Sequence, residues 1–109
     1  MQQDKQQTTT LMSAVTTVST GTAIGVPGVY RVVRAKVTGS GAVSASVDIY
    51  GTAGGDNTTT LGTLIGTIAL TGTTSDADSL VVNAQYPEMF ANVTAISGTS
   101  AAVTVTVFS

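Results

Sequence analysis

Apolar and polar residues alternate along much of the chain, most regularly in its last stretch. There Val103, Val105 and Val107 stand against Thr104, Thr106 and Phe108. A period of two puts alternate side chains on opposite faces of an extended strand, so this stretch predicts a strand with an apolar inner face. The same rhythm runs through Ala42–Tyr50, where Val43, Ala45, Val47 and Ile49 face one way and Ser44, Ser46, Asp48 and Tyr50 the other. In Val29–Thr38, Val29, Val33, Ala35 and Val37 share a face with Arg31, while Tyr30, Val32, Arg34 and Lys36 share the opposite one. Leu11–Ser19, Leu61–Leu70, Ser79–Asn83 and Met89–Ser97 complete the set of expected strands. In Leu61–Leu70 the pattern puts Leu64, Ile68 and Leu70 on one face, and Gly66 between them predicts a bulge or a close backbone approach.

Glycine-rich breaks separate these runs: Gly21–Gly28, Gly39–Gly41, Gly51–Thr60, Thr71–Asp78 and Gly98-Thr99. Short links between neighbouring strands predict two hairpins, Val29–Thr38 with Ala42–Tyr50 and Met89–Ser97 with Ala101–Phe108. Val37–Val47 and Ile96–Val107 echo each other as strand, small-residue turn and alternating strand, and convergence on good hairpin chemistry explains that better than duplication. No window supports an amphipathic helix, because β-branched residues dominate and glycines are closely spaced. Seven or eight short strands at spacings near ten residues predict an all-β fold, an antiparallel β-sandwich of jelly-roll-like or Ig-like type.

Met1–Thr10 departs from this pattern. It is polar and of low complexity, with no apolar face to bury. Residues 1–20 are therefore expected to form an extended N-terminal arm and first strand, and residues 21–109 a single sandwich domain. The arm is expected to be held by another chain through strand addition; folding back on its own domain is the alternative. Met1–Thr10 lacks the pattern of a signal peptide, and no run approaches the roughly 20 apolar residues of a membrane helix.

Composition narrows the chemistry. Only 9% of the 109 residues are charged, and Cys, His and Trp are absent. General-base or metal-assisted catalysis has little to draw on, so no enzyme, no cofactor and no small-molecule substrate are expected. Lys5, Arg31, Arg34 and Lys36 are the only cations, too few for the counterion release that drives nucleic-acid binding. Past Lys36 all charges are acidic: Asp48, Asp56, Asp76, Asp78 and Glu88. Asp76 and Asp78, with Asp56, offer the oxygen donors of a hard-cation site, but the spacing lacks the glycine and distal Glu of an EF-hand loop, and solvated loop acids fit better. The hydrophobic 42% is mostly Val and Ala, a thin core that predicts help from neighbouring subunits. A polar arm, exposed cations and outward aromatics mark candidate protein-interface residues: Gln2, Gln3, Lys5, Gln6, Thr8, Thr10, Leu11, Arg31, Arg34, Tyr50 and Phe108.

Three stretches carry a resemblance: Val47–Gly51 (VDIYG) leading into a Gly-Gly-Asp-Asn loop, Leu61–Thr73 (LGTLIGTIALTGT), and Phe90–Val107 (FANVTAISGTSAAVTVTV). Over roughly Tyr30 to Val107 the chain resembles the small all-β virion proteins of tailed bacteriophages. Leu61 stands in the region where related sequences often carry a Trp. The resemblance implies a structural virion protein, foremost a capsid decoration (cement) protein on the capsid exterior, made in the host cytoplasm. Its implied partners are the major capsid protein and copies of itself in a homo-oligomer, and it implies no catalytic residues. A tail, fibre or neck accessory, or an adhesion module for host glycans, is the alternative.

Overall fold

The computed structural model describes residues 7–26, 31–53, 62–82 and 86–109. The elements are β1 (Thr8–Val15), β2 (Ser19–Thr20), β3 (Ile24–Gly25), β4 (Arg31–Thr38), β5 (Val43–Thr52), β6 (Thr63–Gly72), β7 (Ser75–Val82), β8 (Glu88–Ser97) and β9 (Ala102–Phe108). They form two antiparallel sheets packed face to face, as expected of a sandwich. Sheet A has the order β1-β9-β4-β7, and sheet B has β2-β8-β5-β6, with β3 also pairing with β8.

The alternating runs bury the faces their pattern marks. Val33, Ala35 and Val37 of β4, Val43, Ala45, Val47 and Ile49 of β5, and Val103, Val105 and Val107 of β9 all lie in the core. Leu11, Met12, Ile68, Leu70, Val82, Met89, Ala91 and Val93 join them. Each such side chain contributes roughly 1.5–3 kcal/mol on leaving water, an upper figure for the smaller ones.

Neither expected hairpin forms. β4 lies in sheet A and β5 in sheet B; β8 lies in sheet B and β9 in sheet A. The short links are corners that carry the chain from one sheet to the other. β6 and β7 are joined the same way, so the expected turn region Thr71–Asp78 shrinks to two residues, its first two residues ending β6 and its last four opening β7. The corners meet at one end of the sandwich, where the Gly39 N–H donates to the Thr74 carbonyl (2.8 Å) and the Ser40 N–H to the Thr99 carbonyl (3.0 Å). A strand that leaves one sheet for the other keeps the same inward period, which is why the sequence could not tell a corner from a hairpin.

Of the arm, residues 1–6 lie outside the described residues, and residues 7–10 take the alternative of folding back on their own domain. Residues 7–15 lie along β9 of their own domain rather than reaching out. Thr8 pairs with Phe108 and Thr10 with Thr106, and Gln7 and Ser109 exchange both backbone hydrogen bonds. Two register shifts follow, between Thr10 and Met12 and between Met12 and Val15. The first lets consecutive residues Leu11 and Met12 both turn inward. At the second, Ala14 adopts a φ of 50° and its N–H donates to the Thr104 hydroxyl (3.1 Å). Leu11 thus belongs to the core. The span Leu11–Ser19 read as one strand is split, with β1 in one sheet and β2 in the other.

A bulge also explains Leu64. The β5–β6 register shifts between Ile49 and Tyr50, where Ile49 faces Gly66 and Tyr50 faces Leu64. The extra residue, Ile65, reverses the alternation, so Leu64 is exposed instead of sharing the core face with Ile68 and Leu70. Gly66 fulfils its expectation of a close approach: a Cβ there would lie 2.8 Å from Leu80 Cδ2.

Candidate functional site

Both sheets present an outer face, and the registers fix what stands on each. On sheet A the cross-strand rows are Thr8–Phe108–Val32–Val81, Thr10–Thr106–Arg34–Ser79 and Thr104–Lys36–Ala77. Among the expected interface residues, Thr8, Thr10, Arg34 and Phe108 therefore come together on this face. Thr8, Thr10 and Arg34 are exposed and Phe108 is half-buried. Val32, Lys36, Thr106 and Val81 belong to the same face and were not singled out. The alternation of β4 already grouped Val32 and Lys36 with Arg34; only the pairing with β7 and β9 could add the rest.

Three expected interface residues point elsewhere. Leu11 is buried in the core. Arg31 is 3% exposed; its Nη1 donates to the Tyr86 carbonyl (2.5 Å) and its Nη2 to the Val26 carbonyl (2.9 Å). Burial pushes its pKa below the usual arginine value. The inward parity of Arg31 was legible beside Val33 and Ala35, and two fixed carbonyls make an inward guanidinium tolerable. Tyr50 keeps the outward parity of Asp48 but is 8% exposed, its ring stacked on fully buried Phe90 with centroids 5.0 Å apart and planes 3° from parallel. Gln2, Gln3, Lys5 and Gln6 lie outside the described residues.

The outer face of sheet B is polar and largely bonded to itself. Thr20, Asn92, Asp48 and Thr67 form one row across four strands. The Thr67 hydroxyl donates to Asp48 Oδ1 (2.7 Å) and the Thr20 hydroxyl to Asn92 Oδ1 (3.0 Å).

The acidic pair is not on a loop tip. Asp76 and Asp78 stand on β7 opposite Val37 and Ala35, so both project from an edge strand toward the inner side of the sheet. Asp76 accepts the backbone N–H of Thr71 through Oδ2 and of Ala77 through Oδ1, both at 2.9 Å. Asp78 accepts the Ser79 N–H at 2.8 Å. Asp76 holds the β6–β7 corner through Thr71, and both carboxylates keep a second sheet from adding to β7, since an inward charge would be buried by such pairing. No group of three or more metal-ligating side chains occurs among the described residues, and Asp56 lies outside them. A recess of about 260 Å³ opens between Thr16, Ile96, Ser97, Gly98, Ser100 and Ala101. None of these side chains is ionisable, so the recess offers no acid, base or nucleophile–base pair.

What the arrangement supplies is two broad faces of different character. One is partly bonded to itself and, among the described residues, carries the bonded carboxylate of Asp48, the half-buried Glu88 and the exposed Leu64. The other carries two cations and an apolar row. Comparisons with protein-family models, curated proteins and solved structures found no match.

Proposed function

We propose that this chain is a structural virion protein of a tailed phage, foremost a capsid decoration protein that stabilises the head by binding across major capsid protein subunits. The observation that carries this reading is the strand order. With β2 and β3 taken as two pieces of one edge strand, β1-β9-β4-β7 over β2-β8-β5-β6 is the order of an eight-stranded jelly roll, a fold used repeatedly by viral capsid proteins. That edge strand is interrupted by a one-residue change of register, between Thr20 opposite Asn92 and Ile24 opposite Met89.

Jelly rolls also serve lectins, which makes the glycan-adhesion alternative a natural rival. Sugar recognition favours exposed aromatic platforms with polar partners at a loop end. Among the described aromatics, Tyr50 and Phe90 stack on each other in burial, Tyr86 is half-buried with its ring against Gly51, and Phe108 stands half-buried on a sheet face, which favours docking over sugar capture. The lack of a His or Cys in the whole chain supports a binding role in the same direction.

The test is the composition and strength of the particle. Antibodies against this chain should label the head exterior of the phage that encodes it. Heads assembled without the chain should burst at lower temperature, and added purified protein should restore them. Labelling confined to the tail would favour the accessory reading. Absence of the chain from purified particles would sink both.

A further inference from the structure

We propose that the protein docks through the outer face of sheet A, and that its partner is a flat, acidic protein surface. This rests on the reading of the chain as a particle-binding protein and names the surface that does the binding.

The face is flat, four strands wide and of one sign. Arg34 and Lys36 stand two residues apart on β4, both exposed, with no ion pair or hydrogen bond among the described residues. No acidic side chain shares their rows: β7 contributes Ser79 and Ala77, and its two aspartates project to the other side. Beside the cations runs the apolar row Phe108, Val32 and Val81, with Val81 63% exposed. A desolvated apolar strip flanked by unpaired charge is the arrangement that gives a protein interface both affinity and register.

Other occupants fit less well. Two copies meeting sheet A to sheet A would set cations against cations. Among the described residues, the outer face of sheet B on a second copy offers Asp48, which already accepts the Thr67 hydroxyl, and Glu88, which is half-buried with Oε1 out of reach of solvent. Duplex nucleic acid gains little from two cations, and the apolar row has no role on a phosphate backbone. An acidic protein surface satisfies both features at once.

The size of the face sets how it must work. Four strands about 4.8 Å apart, crossed by rows about 7 Å apart, span roughly 450 Å² per copy. That is well short of the roughly 800 Å² per partner of a stable complex, so one copy binds weakly and an array of copies on a repeating surface binds well.

Co-sedimentation with heads of the encoding phage tests this. Arg34→Glu/Lys36→Glu, and separately Val81→Asp, should raise the concentration for half-saturation by about tenfold or more. Wild-type binding should weaken steeply between about 50 and 300 mM salt. Ala69→Lys, exposed on the outer face of sheet B, should stay within about twofold of wild type. Thermal melts of each variant establish that it is folded. Wild-type-like binding by the folded charge-reversal variant, or loss confined to Ala69→Lys, would overturn the assignment of the face and leave the decoration role standing. Failure of the wild-type protein to bind heads would overturn both. Binding to a short DNA duplex that depends on Arg34 and Lys36, with head binding unaffected by their reversal, would assign the face to nucleic acid and overturn the proposal.

Discussion

Single residues decide the interior at two points. Arg31 holds two carbonyls that belong to different segments, Val26 ahead of β4 and Tyr86 ahead of β8. Replacing it with Ala leaves both acceptors without their charged donor and opens a gap beneath them. The expected loss is about 2–4 kcal/mol, read as a lower urea midpoint at unchanged slope. A loss under about 0.5 kcal/mol would mean that water replaces the guanidinium without strain. Gly51 is the second point. A Cβ there would sit 2.2 Å from Tyr86 Cγ, so the Tyr86 ring lies directly on the glycine. Gly51→Ala should displace that ring and lower stability by about 1–3 kcal/mol, checked by urea denaturation and by the Tyr86 fluorescence environment. Of these two, Arg31's inward parity could be read from the alternation of β4. Gly51's ring contact could not, since Tyr86 lies 35 positions away in the sequence.

At the scale of elements, the edges of the sheets show how a chain rich in Thr and Val avoids pairing with its neighbours. β1 is broken by two register shifts and β7 carries two inward carboxylates. Removing the charge that makes no corner contact, with Asp78→Val, should therefore increase aggregation at unchanged secondary structure, measured by light scattering on warming. The same element logic sets what truncation should do. Deletion through Gln6 leaves every described pairing in place, whereas deletion through Thr10 removes the Thr8, Thr9 and Thr10 partners of Phe108, Val107 and Thr106. The longer deletion should lower the melting temperature and bare the edge of β9; the shorter should leave the melting temperature within about 2 °C. Strand identity was legible here because alternation is local. β7 was read too short because Asp76 and Asp78 look like turn residues, and their edge-strand role appears only once β7 is placed beside β4.

Apart from the consecutive pair β5–β6, the molecule is a topology of distant pairings. Thr8 meets Phe108, and no sheet neighbour within sheet A is consecutive in the chain. Such contacts must close long loops before they stabilise anything, so refolding should be slow, on the order of ~0.1–10 s by stopped-flow, and sub-millisecond refolding would contradict the strand order. The core residues of β4, β8 and β9 are completely buried within one chain, and those of β5 nearly so, despite their small size. The melting temperature should accordingly change by less than about 2 °C over a hundredfold dilution, in place of the subunit-supported stability that a Val/Ala composition suggests.

The sequence by itself determined which faces are apolar, that the chain is all β, and that no imidazole or thiol is present for any site to use. These are local or compositional properties: a period of two follows from the geometry of one extended strand, and an absent imidazole or thiol is absent in every fold. The tertiary structure alone decided which strands are neighbours, and hence that Phe108 and Val81 join Arg34 and Lys36 on one face while Tyr50, outward by parity, is buried against Phe90. Inward alternation is identical whether the next strand returns in the same sheet or crosses to the other. Only the joint packing of all the strands distinguishes the two.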